Sequence, residues 1–379
     1  MRYFCTVCGE TYGLGEPRWR CACGGALELT SPPASLVDIG QGPSAVWRYA
    51  ALLPPVAQDA RISLGEQATP LISSDLGARL KLDYLLPSGS YKDRGAAVLA
   101  SRLADLGVKD IVLDSSGNAG AAMSTYCAAA GIACRVFVPA RNSRGKLAQI
   151  AAVGGVLQPV AGERRDATQA AMAAAESSFY ASHNWSPDFG AGLATVAFEI
   201  WEQLGRRAPS SVLAPCGNGG IVLGLHRGFD ALMRGGLIEK PPRLIAVQAM
   251  PFDSVAHAFA NGLAEPVLRR AGHPTLAEGI ACELPVRGRQ VLEAIRSSSG
   301  TAMTVSEEEI KIAALRLADS GFYVEATGAV GFAGLMRLRG QGASGQLGDD
   351  AVVVLSGTGL KSGSLLADLR NPSWWPVND

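Results

Sequence analysis

No run of apolar residues in this 379-residue chain approaches the ~18 needed to cross a bilayer, and the opening Met1-Arg2-Tyr3-Phe4-Cys5-Thr6 lacks the apolar stretch of a secretory signal. A cytoplasmic protein is the expectation. Charge is scarce as well: charged residues make up 18% of the chain, and 34 basic side chains balance 34 acidic ones. Such a chain offers no basic field, so neither nucleic acid nor a membrane surface is an expected partner. With 48% hydrophobic residues it is not a disordered chain either. Eight cysteines do not amount to a disulfide framework, because four crowd into the first 23 residues and Cys127, Cys134, Cys216 and Cys282 are scattered among apolar neighbours as small core residues. What the chain has in excess is glycine, 45 residues without a Gly-X-Y period, which points to tight turns and close backbone approaches around a ligand.

The length suits two domains and a small appendage, at about 100–200 residues per domain. Residues 1–30 read as the appendage: Cys5-Thr-Val-Cys8-Gly, then Cys21-Ala-Cys23-Gly-Gly. Two such pairs can close a tetrahedron of thiolates around zinc, as in a zinc ribbon, although the second pair is one residue short of the usual spacing. Reduced, metal-free thiols or a facultative disulfide are the alternatives to Cys5, Cys8, Cys21 and Cys23 as metal ligands. Filled or not, a site of four thiolates would be structural. Residues 31–85, Pro-rich at first, read as an arm and the start of a larger domain, 86–205 as a smaller mobile domain, and 206–379 as the rest of the larger one.

From Thr69-Pro70-Leu71 onward, apolar runs of strand length alternate with helical patterns. The runs are Ile111–Leu113, Val136–Val138, Val156–Leu157, Ser211–Ala214, Leu244–Val247 and Ala351–Leu355; helices are expected from Ala119, Lys146 and Ile221 and over Glu307–Asp319. Strands that are apolar at every position are buried on both faces. The fold class is therefore α/β, with two doubly wound, mostly parallel sheets, and ligands are expected beyond the C-terminal ends of the strands.

Four segments stand at such places. In Pro87-Ser-Gly-Ser-Tyr-Lys92-Asp-Arg-Gly95, a lysine lies near a helix start, where the dipole and burial lower its pKa and allow it to condense with an aldehyde; an ordinary surface lysine is the plainer reading. Ser115-Ser116-Gly-Asn118-Ala119-Gly120 follows a strand and opens a helix, as either a carboxylate site or a simple cap. Cys216-Gly217-Asn218-Gly219-Gly220 repeats that layout with backbone amides free to approach a phosphate, and it is neither a dinucleotide fingerprint nor a P-loop. Ser356, in Leu355-Ser-Gly-Thr-Gly359-Leu-Lys361, offers a hydroxyl at the end of the last strand. An amine, an amide, a phosphate loop and a hydroxyl are the four grips required by pyridoxal 5'-phosphate, for its aldehyde, ring hydroxyl, phosphate and pyridine nitrogen.

With these segments the chain resembles the tryptophan-synthase-β superfamily (fold type II) of pyridoxal-phosphate enzymes, and within it the threonine synthase family. The resemblance also takes in the Cys-x-x-Cys-Gly start, Gly145-Lys-Leu-Ala-Gln149, Ala197-Phe-Glu-Ile-Trp-Glu-Gln-Leu-Gly205 and Val305-Ser-Glu-Glu-Glu-Ile310. It implies that Lys92 carries the cofactor and serves as catalytic base, that Asn118 holds the ring hydroxyl, that Gly217, Asn218, Gly219 and Gly220 hold the phosphate, and that Ser356 faces the pyridine nitrogen. It implies a homodimeric lyase that acts on a small-molecule amino acid, with Ser115, Ser116, Ala119, Lys146 and Phe189 at substrate positions. The reaction implied is that of O-phosphohomoserine with water to give L-threonine and phosphate.

Two positions depart from the family. Ala119 stands where the family has threonine, and Phe189, with Asp188 beside it, stands where the family has an arginine. Losing a guanidinium that pairs with phosphate favours a different substrate unless Arg141, Arg144 or Lys146 compensates. The Ser-Ser-Gly-Asn-Ala-Gly loop and Glu278-Gly-Ile-Ala281 lean toward serine and threonine dehydratases, so a β-elimination or β-replacement enzyme is the alternative. A cofactor-binding regulatory relative without turnover is a remote third. His183 lies either at the substrate side or in the core as a structural histidine.

Overall fold

The computed structural model describes residues 1–42, 44–141, 144–363 and 365–371, without the side chains of residues 144–146. It divides into two compact units. The first comprises Met1–Thr69, Leu86–Ala208 and Leu223–Pro241, and the second Pro70–Leu85, Pro209–Val222 and Pro242–Asp379. The units interleave along the chain, and the Pro-rich residues 31–69 and the segment 223–241, which the sequence reading placed with the larger domain, fall in the first unit.

In the first unit, a four-stranded parallel sheet runs in the order Val156–Val160, Ala133–Pro139, Asp110–Leu113, Phe179–Tyr180. Its centre is built from the apolar runs read in the sequence, with Ile111, Leu113, Val136 and Val138 buried. The helices Lys92–Asp105 and Asn118–Ala130 contribute Val98, Leu99, Met123 and Tyr126 to the same core. The unit also contains a three-stranded antiparallel sheet, Thr11–Tyr12, Tyr3–Cys5, Leu27–Leu29, which is the cysteine-bearing appendage.

The second unit is organised by a six-stranded sheet in the order Thr301–Val305, Arg243–Ala249, Ser211–Pro215, Val352–Val354, Arg79–Lys81, Leu71–Ser73. Neighbouring strands are parallel except at the last edge, where Leu71–Ser73 and Arg79–Lys81 form an antiparallel pair. Ser211–Pro215 and Val352–Val354 are buried at every position, which is why these strands show no polar alternation. Helix Glu307–Asp319 starts with a full capping box between Ser306 and Glu309. Among the described residues no helix is long and apolar enough to cross a membrane.

Candidate active site

The turn before Lys92 is tied to the helix it precedes. The Ser88 N–H donates to Asp93 Oδ2 at 2.6 Å, and the Ser88 hydroxyl donates to the other carboxylate oxygen. Gln149, of the Gly-Lys-Leu-Ala-Gln segment, donates to the Ser88 carbonyl at 3.0 Å. Lys92 is thereby fixed as the first residue of helix Lys92–Asp105. It is half-buried, with Nζ 4.7 Å from the Tyr91 ring centroid and 5.9 Å from that of Phe189. Two aromatic faces within about 6 Å make a partly dry, weakly attractive seat for an ammonium group.

No sequence expectation covers the support beneath this lysine. Arg94 is fully buried and donates to Glu199 through Nη1 at 2.7 Å and Nη2 at 2.8 Å, with further bonds to Thr195 (3.1 Å) and Thr69 (3.2 Å). A charged pair placed on otherwise apolar helices was the available signal, since charges are rarely buried without a partner.

Phe189 is wholly buried, and its ring stands 5.9 Å from that of His183. Lys92, Phe189 and His183, far apart in sequence, are thus brought together within the first unit. Burial first, and then the positive charges of Lys92 and Arg164, hold His183 well below the ordinary histidine range, so it is neutral at neutral pH. Burial pushes Asp188 up to about 6, against the opposing pull of the Tyr3 hydroxyl, which donates to Asp188 Oδ2 at 2.7 Å, and of Arg102. In the Asn118 loop, Ser115 and Ala119 are buried while Ser116 and Asn118 are half-buried. Gly117 N–H donates to Ser115 Oγ at 3.4 Å, and Asn118 opens its helix. The side chains of Lys146 and Arg144 lie outside the described residues, and Arg141 is exposed.

The other predicted grips are in the second unit. Loop 216–220 joins strand Ser211–Pro215 to helix Gly220–Arg234. Gly219 has φ +79°, a conformation that L side chains rarely adopt, and a Cβ at Gly217 would stand 2.7 Å from Ile280 Cα. The Cys282 thiol donates to Asn218 Oδ1 at 3.3 Å. Just past strand Val352–Val354, Ser356 is 1% exposed, and its Oγ has no hydrogen-bond partner among the described residues. A buried hydroxyl without a partner is costly, and a ring nitrogen would satisfy it. A bare backbone turn at a helix start and an orphaned hydroxyl at a strand end fit the phosphate and the nitrogen of pyridoxal phosphate.

In the appendage, the four sulfurs of Cys5, Cys8, Cys21 and Cys23 lie within 4.8 Å of one another. Cys5 and Cys23 are 3.5 Å apart and Cys8 and Cys21 3.6 Å apart, near the ~3.8 Å edge of a tetrahedron with zinc–sulfur bonds of about 2.3 Å. The hydrogen bond with Tyr12 leads the causes that draw Cys21 down to about 6. Cys23, despite the Gly25 N–H, is pushed up to about 12 by the sulfurs around it. Four sulfurs at this spacing fit the donor set of a tetrahedral metal site.

Parallel α/β sheets, with a lysine-headed helix in the first unit and a glycine turn in the second, fit the class of enzymes built around an aldehyde cofactor. Residues 62–357 match the family described as pyridoxal-phosphate dependent enzyme, and the chain belongs to that family, as a threonine synthase-like member. The threonine synthase of Methanocaldococcus jannaschii is 32% identical over 94% of this chain and 92% of its own length. That of Methanosarcina acetivorans is 31% identical over 96% of this chain and 91% of its own. Among solved structures, the processed threonine deaminase isoform 2 of Solanum lycopersicum superposes with a TM-score of 0.69 at 20% identity, over 81% of this chain and 88% of its own, a likeness of fold alone.

Proposed function

We propose that this protein is a pyridoxal-phosphate-dependent carbon–oxygen lyase of threonine synthase type, which takes O-phosphohomoserine and water to L-threonine and phosphate. The observation that carries the reading is the extent of the similarity: relatives named threonine synthase align over 94% and 96% of the chain, and the lysine, asparagine, glycine and serine segments all lie within the matched family region. When bound, the cofactor supplies an electron sink for the bonds at the substrate's α-carbon. Lys92 Nζ would hold the cofactor aldehyde, and the same amine is placed to serve as the base for the substrate's α-proton. Asn118 would hold the ring hydroxyl, and Gly217, Asn218, Gly219 and Gly220 the phosphate. The neutral Ser356 hydroxyl would meet the ring nitrogen without forcing a proton onto it, as a carboxylate would. Ser115, Ser116 and Ala119 are assigned to the substrate carboxylate, and Lys146 to the leaving group.

One observation favours a second reading. Phe189 is buried against Lys92, and the adjacent His183 is neutral, so this wall brings apolar surface and no added positive charge to the substrate side chain. A serine or threonine dehydratase, or a paralogue with an uncharged leaving group, would suit it. Purified protein offered O-phosphohomoserine, L-threonine and L-serine decides the matter: phosphate release supports the first reading, and 2-oxo acid from the hydroxy amino acids supports the second. Absence of phosphate removes the threonine synthase reading.

The same proposal includes a structural zinc ion on Cys5, Cys8, Cys21 and Cys23, supported by the sulfur spacing, with no coordination position left open for chemistry. It also includes a cytoplasmic homodimer, supported by the family resemblance; sedimentation of the purified protein tests the dimer.

A further inference from the structure

We propose that the N-terminal cysteine module positions Lys92 through a hydrogen bond between Tyr3 and Asp188. Tyr3 shares the strand Tyr3–Cys5 with Cys5, and both side chains are buried. That strand is central in its sheet, paired on one side with Thr11–Tyr12 and on the other with Leu27–Leu29, and Cys5 belongs to the sulfur cluster. Its position is therefore set by the module. The Tyr3 hydroxyl donates to Asp188 Oδ2 at 2.7 Å, across 185 residues of sequence. The module is gripped twice more, by Glu28 paired with Arg227 and by Arg102, on the Lys92 helix, donating to the Leu14 carbonyl.

What lies beyond Asp188 gives this bond its consequence. The next residue is Phe189, whose ring would stand 2.4 Å from a Cβ placed at Gly95 and whose centroid is 5.9 Å from Lys92 Nζ. Farther along the same short helix, a Cβ at Gly192 would stand 2.2 Å from the Arg94 carbonyl oxygen. Helices Pro187–Leu193 and Lys92–Asp105 therefore touch backbone to backbone with no slack to absorb a shift. Moving the acceptor of the Tyr3 hydroxyl moves the Phe189 ring, and with it the wall against which the lysine extends. Tyr3 and Asp188 act as positioning residues, and the module is part of the apparatus that orients the lysine.

This inference rests on the assignment of Lys92 as the lysine that carries the cofactor, and its test keeps the two separable. Full-length protein loaded with pyridoxal phosphate is compared with Tyr3→Phe, Asp188→Leu, Asp188→Asn and the Tyr3→Phe/Asp188→Leu double variant. Tyr3→Phe and Asp188→Leu should each lower kcat about tenfold, the factor that one hydrogen bond of this kind is worth, with KM within about twofold. Both should shift the visible absorption of the lysine-bound cofactor. Asp188→Asn still offers an oxygen to the Tyr3 hydroxyl and should keep kcat within about twofold, and the double variant should be no worse than either single one. Unchanged kcat and spectrum in Tyr3→Phe, multiplicative losses in the double variant, or an Asn variant as impaired as the Leu variant would each overturn the proposal. Should Tyr3→Phe fail to fold, the Asn and Leu variants decide it alone. If Lys92→Ala keeps the visible band, the lysine assignment itself fails; if that band is lost while Tyr3→Phe changes nothing, only the positioning role does.

Discussion

The helix that begins with Lys92 commits its next two residues, Asp93 and Arg94, to buried partners: Ser88 for one, Glu199, Thr195 and Thr69 for the other. The turn at 216–220 in the second unit is built the other way. It offers backbone, and Ser356 in the same unit buries a hydroxyl with no partner among the described residues. Asp93 and Arg94, whose side chains are held by partners within the protein, form a support that is rigid before any ligand arrives, whereas a hydroxyl left like that of Ser356 is completed by what it binds. Substitutions in the first region should therefore be felt in stability, and those in the second in cofactor affinity.

Lys92 itself is the exception that would break the comparison most sharply, because it heads the helix of that support yet is assigned the chemistry. Lys92→Ala should cost more than about 10³-fold in turnover, the range for a lost general base that also anchors the cofactor, and should abolish the visible absorbance while the melting temperature of the apoprotein barely moves. A large drop in melting temperature would make it a scaffold residue.

For the scaffold proper, Arg94→Ala or Glu199→Ala leaves one charge buried without its partner and should destabilise the protein by about 3–5 kcal/mol in urea unfolding. Replacing both should cost less than the two single losses combined.

Asp188 tests the first unit by pH. Its folded pKa of about 6 lies above the ordinary aspartate value of 3.8. The folded state thus holds that proton more tightly, so this contribution is fully present below about pH 4 and is lost as pH rises through about 6, up to roughly 3 kcal/mol. Unfolding measured across that window should show stability falling with pH, and Asp188→Asn should flatten the curve. A curve of unchanged slope would place the titration elsewhere.

How much of this was legible beforehand follows from the length over which a signal runs. Helix Glu307–Asp319 matched the sequence expectation at both ends because its capping box and apolar spacing persist through 13 residues. The central strands of both sheets were legible because burial on both faces leaves continuous runs of valine, isoleucine and leucine. The edge pair Leu71–Ser73 and Arg79–Lys81 has three residues a strand, too few to establish a period, and its antiparallel pairing was not foreseen. Phe189 stood out as an odd residue in a known pattern, but its contact with Lys92 and His183 needed the fold. The bond between Tyr3 and Asp188 spans 185 residues, and no local pattern encodes it.

Ser356 gives the smallest expected effect and the finest edge to the comparison. Removing a hydroxyl that has no partner among the described residues sacrifices none of their hydrogen bonds and relieves the burden of burying it, so the Ser356→Ala apoprotein should unfold at the same urea concentration as the unmodified one or slightly higher. If that hydroxyl meets the pyridine nitrogen, the same change should weaken pyridoxal-phosphate binding by about tenfold, near 1.4 kcal/mol, measured by fluorescence titration of the apoprotein. The two readings have opposite signs, and that opposition is what a residue completed by its ligand must show. A loss of apoprotein stability would instead mean that the hydroxyl already serves the fold, and the second unit would then be built on the same plan as the first.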